Sequence, residues 1–166
     1  MSIKRTIRLS PVSCINPANG IEICPIDSLE QNTLQDSSLP LFSQETTVVT
    51  LEPGTIDELF VHKRQTDQLL VVKGCAVLVI LENRQYQYIV LHECQPTVVT
   101  IPPGIAHGAI NLTPEPCIAI NSVLHHFAPS DRDYRPIPKP FPYDLEAVKA
   151  KLGEFNCFVN YKETIR

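Results

Sequence analysis

Two histidines in this sequence stand where a side chain could move a proton or hold a ligand. His62 lies in Leu59-Phe60-Val61-His62-Lys63 and His107 in Ile105-Ala106-His107-Gly108-Ala109-Ile110-Asn111, each within a short β-forming run. Imidazole is the side chain whose ordinary titration falls near neutral pH. A neutral histidine can therefore take a proton from the carbon beside a ketone, or give a lone pair to a metal. Phe60 and His62 are two apart and share one strand face, as His107, Ala109 and Asn111 share another. If both faces turn into one barrel, the two imidazoles meet in a single cavity, and Lys63 and Val61 turn away from it. Asp67 adds a carboxylate, and His62, Asp67 and His107 together would offer three N/O donors of a kind that suits Fe(II), Mn(II) or Zn(II). Phe60, on the same strand face as His62, offers such a metal no donor. The expectation is no bound metal and no cofactor, with those three residues as the ligands should a metal bind.

Short strand-like runs separated by turn residues must position these groups. They cover 46–51, 59–62, 68–72, 75–81, 85–91, 97–101, 106–112 and 117–127, with Pro53-Gly54, Lys73-Gly74, Asn83-Arg84, Pro102-Pro103-Gly104 and Pro114-Glu115-Pro116 between them. Eight such strands suffice to close a small antiparallel barrel or jelly roll, so the fold class is all-β. Weaker strands are expected at 6–9 and 21–24, and an exposed loop at 27–38. Prolines 136, 138, 140 and 142 predict an extended surface strap outside any sheet. Asp144 can cap a helix with apolar positions Leu145, Val148 and Leu152, ended by Gly153. The whole of 1–166 reads as one domain: an N-terminal arm (1–45), a barrel core (46–127), and a C-terminal strap with the short helix (128–166).

Composition narrows the partners. A chain of 166 residues that is 43% hydrophobic can enclose a core. Its formal charge of -4, with basic residues bunched only at Lys63-Arg64, excludes nucleic acid and membrane surfaces as expected partners. No apolar run reaches signal-peptide or transmembrane length, which makes the cytoplasm the expected location. Six cysteines (14, 24, 75, 94, 117, 157) include no Cys-x-x-Cys pair and read as reduced thiols rather than disulfides or a zinc site.

The spacing of Gly54, Phe60, His62, Asp67 and Gly74 resembles the first motif of the cupins, with Phe60 at its first histidine and Asp67 at its usual glutamate. Pro102, Gly104, His107 and Asn111 resemble the second motif, with Pro96 replacing its leading glycine. The stretch Ile101-Pro102-Pro103-Gly104-Ile105-Ala106-His107-Gly108, followed by a strand ending in His125-His126-Phe127-Ala128-Pro129, is similar to the dTDP-4-dehydrorhamnose 3,5-epimerase (RmlC-like) family. The likeness spans roughly 45–135. It implies a cupin jelly-roll barrel and an isomerase of nucleotide-sugars, with His62 as the catalytic base. It also implies a homodimer that pairs barrels through edge strands, which the 45-residue arm is available to cover or cross.

That chemistry needs a base, a cation for the enolate, and an acid on the opposite face. Leu59 stands at the family's arginine, Asp67 at its lysine, and Ile120 or Asn121 at its tyrosine acid. Each general acid or base contributes about a hundred- to ten-thousandfold, so ordinary epimerase turnover is not expected. Tyr86 or Tyr88 could supply an acid by another route, although strand and interface roles suit them better. The contact residues around His62 are then His107, Asn111, Phe60, Lys63 and Asp67, facing a small-molecule ligand of which a nucleotide-sugar is the implied example. Phe60-Val61-His62-Lys63 also resembles the His-x-His-Lys of the nucleotide-sugar 3,4-ketoisomerases with its first histidine missing. Two other functions compete: a non-catalytic carbohydrate- or small-molecule-binding cupin, and a metal-dependent cupin enzyme.

Overall fold

The computed structural model describes residues 6–13, 15–18, 21–23, 43–128, 130, 133 and 135–155. All eight strands expected between 46 and 127 form: β4 (Ser43–Leu51), β5 (Leu59–Val61), β6 (Gln65–Lys73), β7 (Cys75–Glu82), β8 (Gln85–His92), β9 (Thr97–Ile101), β10 (Ala106–Ile110) and β11 (Cys117–His125). They are joined by β1 (Arg8–Pro11), β2 (Ile15–Ala18), β3 (Ile21–Ile23) and β12 (Arg135–Ile137). Two five-stranded antiparallel sheets face each other, in the orders β1-β9-β6-β11-β4 and β12-β5-β10-β7-β8, while β2 and β3 form a separate hairpin. This is an antiparallel jelly-roll barrel with a single short helix among the described residues. No helix among them is long and apolar enough to cross a membrane.

The run Cys75-Ala76-Val77-Leu78-Val79-Ile80 is buried throughout because both faces of β7 are covered. Ala76, Leu78 and Ile80 point into the barrel with Val71, Leu91 and Ala119, whereas Cys75, Val77 and Val79 pack outward against Leu59, Ile110, Tyr143 and the helix. That helix, α1 (Leu145–Glu154), is capped by Asp144, whose Oδ1 accepts from the Ala147 N–H at 2.9 Å, and it buries Val148 and Leu152. Asn83 and Arg84, at φ 51° and 60°, form the two-residue β7–β8 turn whose twist matches the flanking strands. Gly74, at φ 77°, could not carry a Cβ, which would lie 2.7 Å from the Pro116 carbonyl oxygen.

Several expectations are corrected. The prolines near 136 do not keep that segment out of a sheet, for Arg135–Ile137 pairs antiparallel with β5 as an edge strand. One missing N–H is tolerated where it can face outward. The same tolerance admits Pro11 in β1, which pairs with β9 from the other sheet's edge, so part of the expected arm belongs to the barrel wall. Gly153 lies within α1 rather than ending it, and Phe155 is the cap. The expected loop at 27–38 falls outside the described residues.

Candidate functional site

Strand alternation builds the site. Gln65, Asp67, Leu69 and Val71 are the inward residues of β6, Ala119 and Asn121 those of β11, and His107 and Ala109 those of β10. They enclose a cavity of about 270 Å³ that Phe60 and His62 also line. His62 sits one residue past β5. The Gly104 N–H donates to its carbonyl at 2.6 Å, so the Pro-Pro-Gly turn before β10 ties the two histidine-bearing segments together. Register places His107 directly opposite Phe60.

Asp67 is the centre of the cluster. Its Oδ2 lies 3.4 Å from His62 Nε2 and 3.5 Å from His107 Nε2, while its Oδ1 accepts from Gln65 Nε2 at 2.8 Å. Burial works to raise the Asp67 carboxyl, but the hydrogen bond from His107 and the nearby His62 outweigh it and hold the group below its ordinary value. His62 is lowered, chiefly by burial, with Asp67 opposing and His107 adding. It is therefore neutral at pH 7, and its contact with Asp67 is a dipole–charge contact rather than an ion pair. His107 Nδ1 lies 3.0 Å from the Ile105 carbonyl oxygen, which fixes the ring and leaves Nε2 facing Asp67. The Phe60 ring stands edge-on to both imidazoles, 4.8 Å from His107 and 5.7 Å from His62.

Of the residues expected to contact a ligand, Phe60, Asp67 and His107 come together with His62. Lys63 does not: its side chain is exposed and off the cavity, as strand alternation requires. Asn111 does not either, because β10 ends at Ile110 and the shared face ends with it. Its amide instead staples the turn into β11, donating to Leu51 O at 2.8 Å and Glu115 O at 2.9 Å, and accepting from Thr113 N and Oγ1 at 2.9 and 2.7 Å. Leu59, at the place of the family's arginine, is wholly buried in the outer cluster. Of Ile120 and Asn121, it is Asn121 that lines the cavity, and its Oδ1 is buried without a hydrogen-bond partner. Tyr86 and Tyr88 face the C-terminal segment: Tyr86 donates to Phe141 O and Tyr88 Oη accepts from Asp144 N.

Gln65, His125 and Asp133 were not singled out. Gln65 could have been found from its i−2 position to Asp67, and His125 from its even spacing to Asn121 along β11. Asp133 accepts from the backbone N–H groups of Lys63 and Arg64 at 3.0 and 3.2 Å, and with His125 it lies close enough to influence the His62 titration. No local spacing connects it with residues some 70 positions earlier.

No protein-family model matches the sequence, and no curated protein does. Solved structures do match. A dTDP sugar isomerase from Desulfovibrio desulfuricans is 19% identical, with 85% of this chain and 94% of that one covered at a TM-score of 0.65. A dTDP-4-dehydrorhamnose 3,5-epimerase from Sulfolobus tokodaii is 20% identical, covering 81% and 88% at 0.59. A sugar 3,4-ketoisomerase from Thermoanaerobacterium thermosaccharolyticum, in complex with TDP, is 17% identical, covering 87% and 94% at 0.57. The shared feature is the RmlC-like cupin fold.

Proposed function

We propose that this barrel is an isomerase-type acid–base catalyst in which His62 removes a proton beside the ketone of a small substrate, with nucleotide-linked keto-sugars as the class to test first. The carrying observation is a buried, neutral His62 on the cavity wall with Nε2 turned toward the Asp67 carboxylate. The tautomer that keeps its hydrogen on Nε2 leaves Nδ1 as the basic nitrogen, and the carboxylate stabilises the imidazolium that forms. His107 and Phe60 bound the space in which the ketone sits. The fold neighbours' names, which include dTDP-sugar isomerases, support the substrate class. Asp67 stands at the family's lysine and Ile120 or Asn121 at its tyrosine acid, so the enolate is poorly supported and little inverted product is expected. Proton NMR of dTDP-4-keto-6-deoxyglucose in heavy water tests the reading. Slow exchange at C3 or C5, lost in His62→Ala, is the expected result. Exchange equal in both proteins would remove His62 as the base, and tight binding without exchange would make the barrel a binding cupin.

A second reading has its own observation. The ligand atoms of His62, Asp67 and His107 lie within 4.8 Å of one another, and the two contacts at 3.4 and 3.5 Å match the spacing of adjacent donors on a metal with bonds of about 2.1 Å. With Nδ1 held at the Ile105 carbonyl oxygen, a His107 that gives up the Nε2 hydrogen directed at Asp67 would offer a metal the Nε2 lone pair. These residues fit a divalent metal, which when bound would polarise a substrate carbonyl. We expect no tightly bound metal all the same, because Phe60 fills the position of a further donor. Elemental analysis finding near one iron, manganese or zinc per chain, lost in His62→Ala, would favour this reading.

We also propose that residues 1–166 act as one domain and pair as a homodimer, with β1, β4, β8 and β12 at the sheet edges as candidate contacts. A monomer mass by light scattering at micromolar concentration would contradict the pairing. The free thiols of Cys75, Cys94 and Cys117 favour a reducing compartment such as the cytoplasm, which cell fractionation would test.

A further inference from the structure

The cavity is most polar at one end, and away from that end its lining adds Asn121 and Asp57, whose backbone N–H donates to Ala109 O at 2.9 Å. Register along β11 orders the inner face: Ala119 lies opposite Val71 and Val49, Asn121 opposite Leu69, and beyond them come Asp67 and Gln65. Following the same axis on the facing sheet, Ala76 pairs with Leu91 and Ala109 with Leu78, whereas His107 lies opposite Phe60. His62, Asp67, His107 and Gln65 thus gather toward one end, and past Asn121 the walls formed by β4, β6, β7, β8 and β11 are aliphatic. Such a wall gives a sugar hydroxyl no partner, and burying one there without a hydrogen bond costs about 1–3 kcal/mol. The volume sets a second limit. About 270 Å³ is nearly twice the roughly 150 Å³ of an apolar cavity that holds benzene, which allows about ten to twelve non-hydrogen atoms inside the barrel and leaves any nucleotide outside it.

We propose that the ligand taken into the barrel is a compact amphipathic hydroxyketone, with its oxygens at the His62–Asp67–His107 end and an unbroken hydrocarbon tail along Val49, Val71, Ala76, Leu91 and Ala119. The proposal rests on reading that cluster as the head-group end, and it narrows the substrate from keto-sugars to compounds that carry no oxygen past the head. The unpartnered Asn121 Oδ1, partway along the wall, is an acceptor for the hydroxyl hydrogen.

The test is calorimetric binding of 1-hydroxy-2-butanone, 1-hydroxy-2-hexanone and 1-hydroxy-2-octanone to the wild-type chain, with fructose, TDP and dTDP-4-keto-6-deoxyglucose alongside. Affinity should rise about fourfold per added methylene. Ala119→Leu, which shortens the apolar end, should stop the gain at the shorter homologues. Affinity that is flat or falls with chain length, or tighter binding of fructose, TDP or the keto-sugar, would overturn the proposal. Proton exchange is read separately. A chain-length gain without His62-dependent exchange leaves the ligand class standing and removes the catalytic reading, whereas exchange of the keto-sugar without any gain does the opposite.

Discussion

Replacing Asp67 by Asn removes one negative charge from the centre of the site while keeping its shape. The carboxylate oxygen lies 3.4 Å from His62 Nε2, and the residue is only 3% exposed, so water screens the pair little. In the wild type, burial lowers His62 and Asp67 is the largest influence in the other direction. An opposite charge at this distance raises a histidine by about one to three pKa units. An upper bound comes from Coulomb's law: at an effective dielectric constant of about 20, a protonated His62 and the carboxylate would attract by about 5 kcal/mol. In Asp67→Asn the His62 midpoint, already lowered by burial, should fall further, because the largest influence that opposes burial is removed. Proton NMR of the imidazole carbon-bound hydrogens, with His62 assigned by its absence in His62→Gln, reads the midpoint directly. Exchange of a ketone substrate near pH 7 should also slow, because a weaker base removes the proton less readily. An unchanged or raised midpoint would refute the reasoning, since the carboxylate would then not be the charge that supports His62.

Acid should destabilise the fold in two windows of the same sign. His62 is lowered when folded, so the unfolded chain binds its proton first, and stability present above 6.5 is lost as pH falls from there through the folded value. Asp67 is lowered from 3.8, so its contribution is present above 3.8 and lost as pH falls through its own folded value. Urea midpoints that hold steady from about pH 7 to about pH 5 would contradict the first window. Asn111→Ala should cost about 2–4 kcal/mol in urea unfolding by stranding the groups its amide joins, with ligand binding by the folded protein unchanged. A selective loss of binding would return Asn111 to the ligand contacts. Gly108→Ala would put a Cβ 2.6 Å from the Glu58 carbonyl oxygen and 3.2 Å from Tyr143 Oη, and should cost about 1–3 kcal/mol by the same measurement. An unaltered midpoint would mean that β5 can shift freely behind the site.

The sequence by itself determined the strands from 46 to 127, their turns, and the strand face that carries each of His62 and His107, because each depends on neighbours within a few positions. Period-two alternation assigns a face, and Gly74, Asn83-Arg84 and Gly104 take backbone angles that local chemistry selects. The cap at Asp144 was legible for the same reason. Tertiary structure decided what depends on how a strand ends and what covers it. Asn111 has the right parity for the cavity but lies past the end of β10, so its amide is committed to a turn. Pro136 could enter a sheet because Arg135–Ile137 found an edge, which no proline count foretells. Asn121 rather than Ile120 reached the cavity because the pairing of β11 with β4 and β6 set which face turns inward. Asp133 came to the backbone of Lys63 and Arg64 only through chain closure across some 70 residues. The barrel's polarity is of the same kind: aliphatic side chains from separate strands form one continuous wall only when the two sheets face each other, since register and closure, not spacing along the chain, bring them together.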